Sequence, residues 1–290
     1  MWLRNDNPVR IWDNILTQLL YKLKRKTKTI LFVFDLPIDQ GRLTGAGEFF
    51  DSKSYELECR AFHCFDILCV FNRGMAERIR ERCNIAAERF VEFECLVYGV
   101  RPSTYEDRKP PKGKWTLFYA GNGDRLYVGE WMNHLKRTDN VSYHFVGPNW
   151  DWLSGANRDD VTLHPYFSTQ QELCDYLHSN ADFGIITYAE PFSSYAEYGC
   201  PSKFGAYVTA GVPILVNANC KYVASIVEKY DVGLSFDSFE QIPDILGRLS
   251  DSDYARLRER CQMLAEKLVH GYFLKRALAE SLRKLHVAQG

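Results

Sequence analysis

A chain of 290 residues, 46% of them hydrophobic, is more than one small core usually takes and argues for two globular domains. Lys plus Arg number 36 and Asp plus Glu 37, which excludes a global polyanion-binding field and with it a nucleic-acid partner. No apolar run approaches about 18 residues, which excludes a spanning helix, and the polar start "MWLRNDNPVR" lacks a signal-peptide core.

In chain order, "VRIWDNILTQLLYKLKRK" (9–26) repeats Ile11, Ile15, Leu19 and Leu23 at helical spacing. Its basic end, residues 21–28, is suited to touch anionic lipid or a lipid-linked acceptor, the alternative being a solvated helix terminus. "TILFVFDLP" (29–37) is a continuous apolar run closed by Asp-Leu-Pro, the pattern of a buried parallel strand with a loop at its carboxyl end. A helix near 52–63, the strand 66–72, a helix over 74–83 and a short strand near 90–97 follow. "RPSTYEDRKPPKGK" (101–114), polar and rich in Pro and charge, then breaks the pattern as a linker.

The alternation restarts with strands at "WTLFYAG" (115–121), "VSYHFVGP" (141–148) and "ADFGIITY" (181–188). Next come the helix "KFGAYVTAG", the strands "VPILVN" and "VGLSF", and two closing helices. Two blocks of strand–helix alternation imply two doubly wound α/β domains facing across a cleft. Nine cysteines, an odd number with no C-x-x-C pair, fit reduced and mostly buried thiols in a cytoplasmic protein. The seven histidines show no metal-ligand spacing, and no metal site is expected.

Two loops carry anion chemistry. In "CPSKFGAYVTAGVPILV" (200–216) a helix starting near Ser202 aims its amide groups and partial positive charge forward, with Ser202 as N-cap and Lys203 adding a full charge. Gly211 ends that helix where a left-handed residue costs little, and Pro213 prevents its continuation. In "FYAGNGDRLYVGEW" (118–131) the small residues Gly121-Asn122-Gly123 allow a backbone to approach a phosphate, and Arg125 offers a bidentate contact. A capped core helix and an ordinary turn account for either loop alone. Together, in one α/β domain, they point to a phosphate.

"CPSKFGAYVTAGVPILV", "ADFGIITY", "FYAG…R" and the terminal "GYFLKRALAESL" resemble the GT-B glycosyltransferases. The similarity is to the bacterial group containing the glucosyltransferases of serine-rich-repeat adhesins and β-1,6-galactofuranosyltransferase-like sugar transferases, and it runs from about residue 28 to the end. The resemblance implies that Arg125 and Lys203 bind the diphosphate of a UDP-sugar, the donor substrate, with no permanently bound cofactor. It places Gly121 and Asn122 at the same site, and Tyr188, Tyr195 and Ser202 on the wall of the nucleotide. It further implies that Asp35, which follows "LFVF", stands at the aspartate of a His-Asp strand end, where a carboxylate would position or deprotonate an acceptor hydroxyl. Phe34 occupies the histidine position. Many retaining members carry a glutamate five residues before the helix-ending glycine, and here that residue is Ala206, so stereochemistry stays open.

The expected domains are 1–108, a short acceptor-side Rossmann-like domain; 109–270, the nucleotide-sugar domain; and 271–290, a helix crossing back to the first. No glycine-rich loop opens the first domain, so its sheet is expected to be incomplete, with about three strands and an edge left unpaired or covered by the first helix or by a second protomer, as in a homo-oligomer. The function expected is metal-independent transfer of a hexose to a glycan or glycoprotein acceptor. The alternatives are a non-catalytic GT-B partner subunit and a nucleotide-sugar 2-epimerase, the latter needing acids and a histidine that the sequence does not place.

Overall fold

A computed structural model of the chain describes residues 27–43, 52–104, 108–124, 128, 135, 137–153, 158–190 and 192–287. The helical reading of 9–26, all but the last two residues of the basic run 21–28, and Arg125 lie outside them. The chain divides into two compact units, Met1–Glu94 with Leu274–Gly290, and Cys95–Phe273.

In the first unit the strands β1 (Ile30–Phe32), β2 (Ile67–Val70) and β3 (Phe90–Glu92) form a parallel sheet in that order. Three strands are found among the described residues. The connections carry α1 (Pro37–Leu43), α2 (Ser52–His63) and α3 (Arg73–Cys83), the last capped by the Asn72 side chain on the Met75 amide. β2, the central strand, is buried throughout, whereas all three residues of β1 keep partial exposure. β3 stops short of the predicted 97, and Glu94 takes a left-handed φ of 62° two residues beyond its end. One correction concerns the cysteines. Cys59 on α2 and Cys83 at the end of α3 are bridged, while the other seven described cysteines are free and buried. The two residues are 24 positions apart, and only the packing of α2 on α3 brings them together.

The second unit holds β4 (Trp115–Ala120), β5 (Val141–Val146), β6 (Val161–His164), β7 (Phe183–Ile186), β8 (Ile214–Asn217) and β9 (Gly233–Phe236). They form one parallel sheet in the order β6-β5-β4-β7-β8-β9. The order reverses between β4 and β7, and in such sheets ligands bind outside the carboxyl ends at that point. The helices of this unit are α4 (Gln170–Asn180), α5 (Phe192–Tyr195), α6 (Ser202–Thr209), α7 (Lys221–Tyr230), α8 (Ile242–Gly247) and α9 (Asp251–Val269). The final helix, α10 (Tyr272–Val287), reaches the first unit's sheet, where Lys284 donates to the Phe90 carbonyl at 2.8 Å and Ser281 Oγ meets Cys69 Sγ at 3.2 Å. Among the described residues no helix is long and apolar enough to cross a membrane.

At the reversal point β4 and β7 pair only at Leu117 with Phe183 and Phe118 with Gly184. Past Gly184 the strands part, which would orphan the Ala120 amide. The buried Tyr207 hydroxyl on α6 fills the gap, accepting from Ala120 N–H at 2.7 Å and donating to the Phe118 carbonyl at 3.1 Å. Its ring occupies the space where any Cβ at Gly184 would sit. Tyr207→Phe keeps the ring and leaves that amide unpaired, so a loss of about 1–3 kcal/mol is expected in thermal unfolding. An unchanged melting temperature would show that the amide is satisfied in another way.

Candidate functional site

A cavity of about 370 Å³ opens at the carboxyl ends of β4 and β5 and is bounded by the start of α6. Its floor is made by two glycine turns. Gly121 leaves β4 and Gly147 leaves β5, and a Cβ at Gly147 would overlap the Gly121 carbonyl oxygen and sit 2.9 Å from its carbon. Gly147 has φ +134°, which an L side chain rarely adopts.

Two tryptophans fasten these turns. Trp150 donates its indole N–H to the Gly121 carbonyl at 3.1 Å, and Trp152 donates to the Gly123 carbonyl at 2.7 Å. The Asn122 side chain accepts from Asp124 N–H at 2.9 Å and from the Asn149 amide at 2.8 Å. The loop after β4 is therefore held by the loop after β5.

Lys203 supplies the charge. Its ammonium lies 3.7 Å from the centre of the Tyr119 ring and 4.8 Å from that of Tyr188. It is also close to Gly121, since a Cβ there would come within 3.3 Å of Nζ. No carboxylate pairs with it among the described residues. The residue as a whole is only half-buried, yet burial of the ammonium pulls its pKa from 10.5 down to about 7, with the nearby Cys220 thiol acting weakly the other way. An ammonium held without a counter-ion between two aromatic faces favours an anion that brings the missing charge.

The start of α6 adds to this. Ser202 is the first helical residue rather than the cap expected. Pro201, its φ set at −68° by the ring, takes the N-cap position, and no side chain caps the helix. The positive end of α6 is thus left to whatever enters the cavity. Gly211 ends the helix region with φ +69°, as its position in the sequence requires.

Of the residues singled out from sequence, Gly121, Asn122, Ser202 and Lys203 line this one cavity. Tyr188 shares the cage around the ammonium, and its ring packs at 5.0 Å on Phe192, which packs in turn at 5.5 Å on the buried Tyr195. Asp35 belongs to the first unit, in the loop between β1 and α1, and is not among the lining residues. Ala206 lines the cavity. Among the described residues, none that lines the cavity is a histidine or an acid. Among the described residues, no group of three or more His, Cys, Asp or Glu is arranged to hold a metal ion.

Sequence reasoning missed Tyr119, Tyr207, Gly147, Trp150 and Trp152. The one local signal was the second strand ending in glycine, "HFVGP", which matches "FYAG" across the sheet.

Residues 117–281, more than half of the chain, match the family model described as glucosyltransferase 3-like, C-terminal domain. Solved structures agree in fold. TarM shares 12% identity and a TM-score of 0.57 over 89% of this chain and 51% of its own. HepE of Anabaena, solved with UDP-glucose, shares 10% identity and a TM-score of 0.57 over 94% of this chain and 76% of its own. A structure of accessory secretory proteins 1, 2 and 3 from Streptococcus pneumoniae shares 8% identity and a TM-score of 0.52 over 96% of this chain and 58% of that one. The chain spans about half the length of TarM.

Proposed function

The chain belongs to the glucosyltransferase 3-like family and has the GT-B fold, and on that premise we propose that it moves a hexose from a UDP-sugar to a glycan or glycoprotein acceptor. The observation that carries this reading is the unpaired Lys203 ammonium in its aromatic cage beside an uncapped helix start. A diphosphate suits that seat, and 370 Å³ is within the usual range of small-molecule sites. Arg125 is proposed as a second diphosphate ligand. The UDP-glucose held by HepE, and the UDP held by a TarM mutant of S. aureus, support the choice of nucleotide.

The chemistry proposed is displacement at the anomeric carbon. As the sugar–phosphate bond breaks, negative charge grows on the departing UDP, and Lys203 with the α6 dipole stabilises it without a metal ion. Asp35 is assigned to the acceptor hydroxyl. The location proposed is the cytoplasm, which the seven free buried thiols favour and the Cys59–Cys83 bridge opposes.

The test is a panel of UDP-, GDP- and dTDP-sugars, scored for binding, hydrolysis and transfer, with and without EDTA. Selective use of UDP-sugars, unaffected by EDTA, is expected, and Asp35→Asn should reduce transfer but not UDP binding. Preference for another nucleotide would overturn the donor assignment. One rival is a GT-B subunit that binds nucleotide without transferring sugar. UDP binding with neither hydrolysis nor transfer would select it. For an epimerase, the acids and histidine it needs are not among the described residues that line the cavity.

A pH dependence follows. The diphosphate favours charged Lys203, whose pKa in the free protein is about 7. Below that value the lysine is already charged. As pH rises through 7 binding must also supply a proton, so UDP affinity should fall, by up to about tenfold per pH unit. UDP completes its own ionisation near pH 6, as phosphate monoesters do, and adds little to this window. Calorimetry between pH 6 and 9 measures the slope, and a flat profile would show that Lys203 is charged throughout.

A further inference from the structure

Beside the cavity, outside the residues assigned so far, three polar side chains form a chain. His144 on β5 and His164 at the end of β6 face each other with Nδ1 and Nε2 2.8 Å apart, and the Tyr176 hydroxyl on α4 lies 3.3 Å from His164 Nδ1. The two imidazoles are stacked at 5.0 Å, and Phe118 of β4 packs on both, at 4.8 and 5.5 Å. The cluster is partly buried, and no carboxylate bonds to either imidazole among the described residues.

The place of this cluster gives it a role. His164 is followed directly by residues 165–169, and Tyr166, Phe167, Ser168 and Thr169 line the cavity. The far end of that loop is pinned by the capping box of α4, in which Thr169 accepts from Glu172 N–H and Glu172 accepts from Thr169 N–H. The near end has the histidine pair, and the Phe167 ring leans on Tyr176 at 4.9 Å. We propose that His144, His164 and Tyr176 act as a positioning relay that fixes the Tyr166–Phe167 wall of the cavity and holds only while the pair carries at most one proton.

The proton count follows from the geometry. With both imidazoles neutral, each contact has one donor and one acceptor, in either direction along the chain. One added proton still leaves an acceptor between the rings, with Tyr176 turning to accept. A second sets N–H against N–H at 2.8 Å, and the contact must open. The surroundings oppose even the first. Burial, then His164 and Lys114, pull the His144 pKa down to about 4, and burial lowers that of His164. Lys114 comes from the segment before β4, β4 itself offers only the Phe118 ring, and α4 offers Tyr176. The relay is therefore intact at neutral pH and fails in acid.

The role of the loop rests on the nucleotide reading of the cavity, so the test has readouts with and without nucleotide. In the ¹⁵N-histidine NMR spectrum of the full chain, two coupled imidazoles should titrate below the ordinary histidine range and hold fixed tautomers at neutral pH. Tyr176→Phe, which keeps the ring and drops the hydroxyl, should leave the melting temperature nearly unchanged. It should speed amide exchange across 166–169 several-fold and weaken UDP binding about three- to tenfold. His144→Gln is the second variant if Tyr176→Phe folds poorly, with the same expectations for exchange and UDP affinity. Two histidines titrating independently near pH 6.5, or loop exchange unchanged in the variants, would overturn the relay. Failure of the wild type to bind UDP, with loop exchange altered as expected, would instead remove the nucleotide reading and leave the relay standing.

Discussion

Replacing Lys203 with methionine should weaken UDP binding by about 1.5–3 kcal/mol, roughly ten- to a hundredfold, as for loss of a hydrogen bond to a charged group. The same variant should fold at least as stably as the wild type. The ammonium sits over Tyr119 and Tyr188 with no carboxylate partner among the described residues, so the folded protein bears its desolvation. Methionine fills much of the same space without the charge. The sign is checkable through pH. The Lys203 pKa is lower in the folded chain than in an unfolded one, so the penalty is full below about pH 7 and is relieved as pH rises toward the unfolded value of 10.5. The wild type should therefore gain stability relative to the methionine variant across that window. Equal UDP affinity in the two proteins, measured by calorimetry at pH 6.5, would remove Lys203 from the donor site.

Gly147→Ala should be the most damaging single-methyl change in the second unit's cavity. The added carbon has nowhere to go, because the Gly121 backbone occupies its place and Gly147 holds φ +134°. Overpacking and left-handed strain each cost about 1–3 kcal/mol, so a loss on the order of 3 kcal/mol or more is expected. Relief would require the turn after β4 to move, which would pull Gly121 from Trp150 and displace the cavity floor. Both thermal stability and UDP binding should fall together. Gly113→Ala is the control, since nothing lies within 4 Å of its added carbon and its φ is not positive. A Gly147→Ala protein as stable as that control, with UDP binding intact, would show that the two turns are not coupled as described.

Several features were fixed by sequence alone, and each has a local cause. Apolar runs such as Ile214-Leu215-Val216 and Phe183-Gly184-Ile185-Ile186 are buried on both faces, so they had to be strands of a covered parallel sheet. Gly211 had to follow a helix, because it is the residue that takes φ +69° without strain. Lys203 was legible as a candidate anion ligand because it lies in the first turn of a helix after a proline. The turn at Gly121 was legible because it ends a strand with small residues.

Only the tertiary structure decided what surrounds them. Tyr119 and Lys203 are 84 positions apart in sequence, and neither periodicity nor composition links them. Their meeting depends on the order reversal that sets β4 beside β7 and brings α6 over the gap. Tyr207 reads in sequence as one more apolar residue of a buried helix, yet its hydroxyl completes the ladder at Ala120 because the strands part there. Trp150 and Trp152 look like loop aromatics until the turn after β5 is folded against the turn after β4. Cys59 and Cys83 carry no local motif, and their bridge waits on two helices packing together. Local chemistry sets what each segment can be, because propensity, patterning and capping act over a few residues. The cage, the clamp and the relay join residues far apart in the chain, so they exist only once hydrophobic burial has fixed which strands are neighbours.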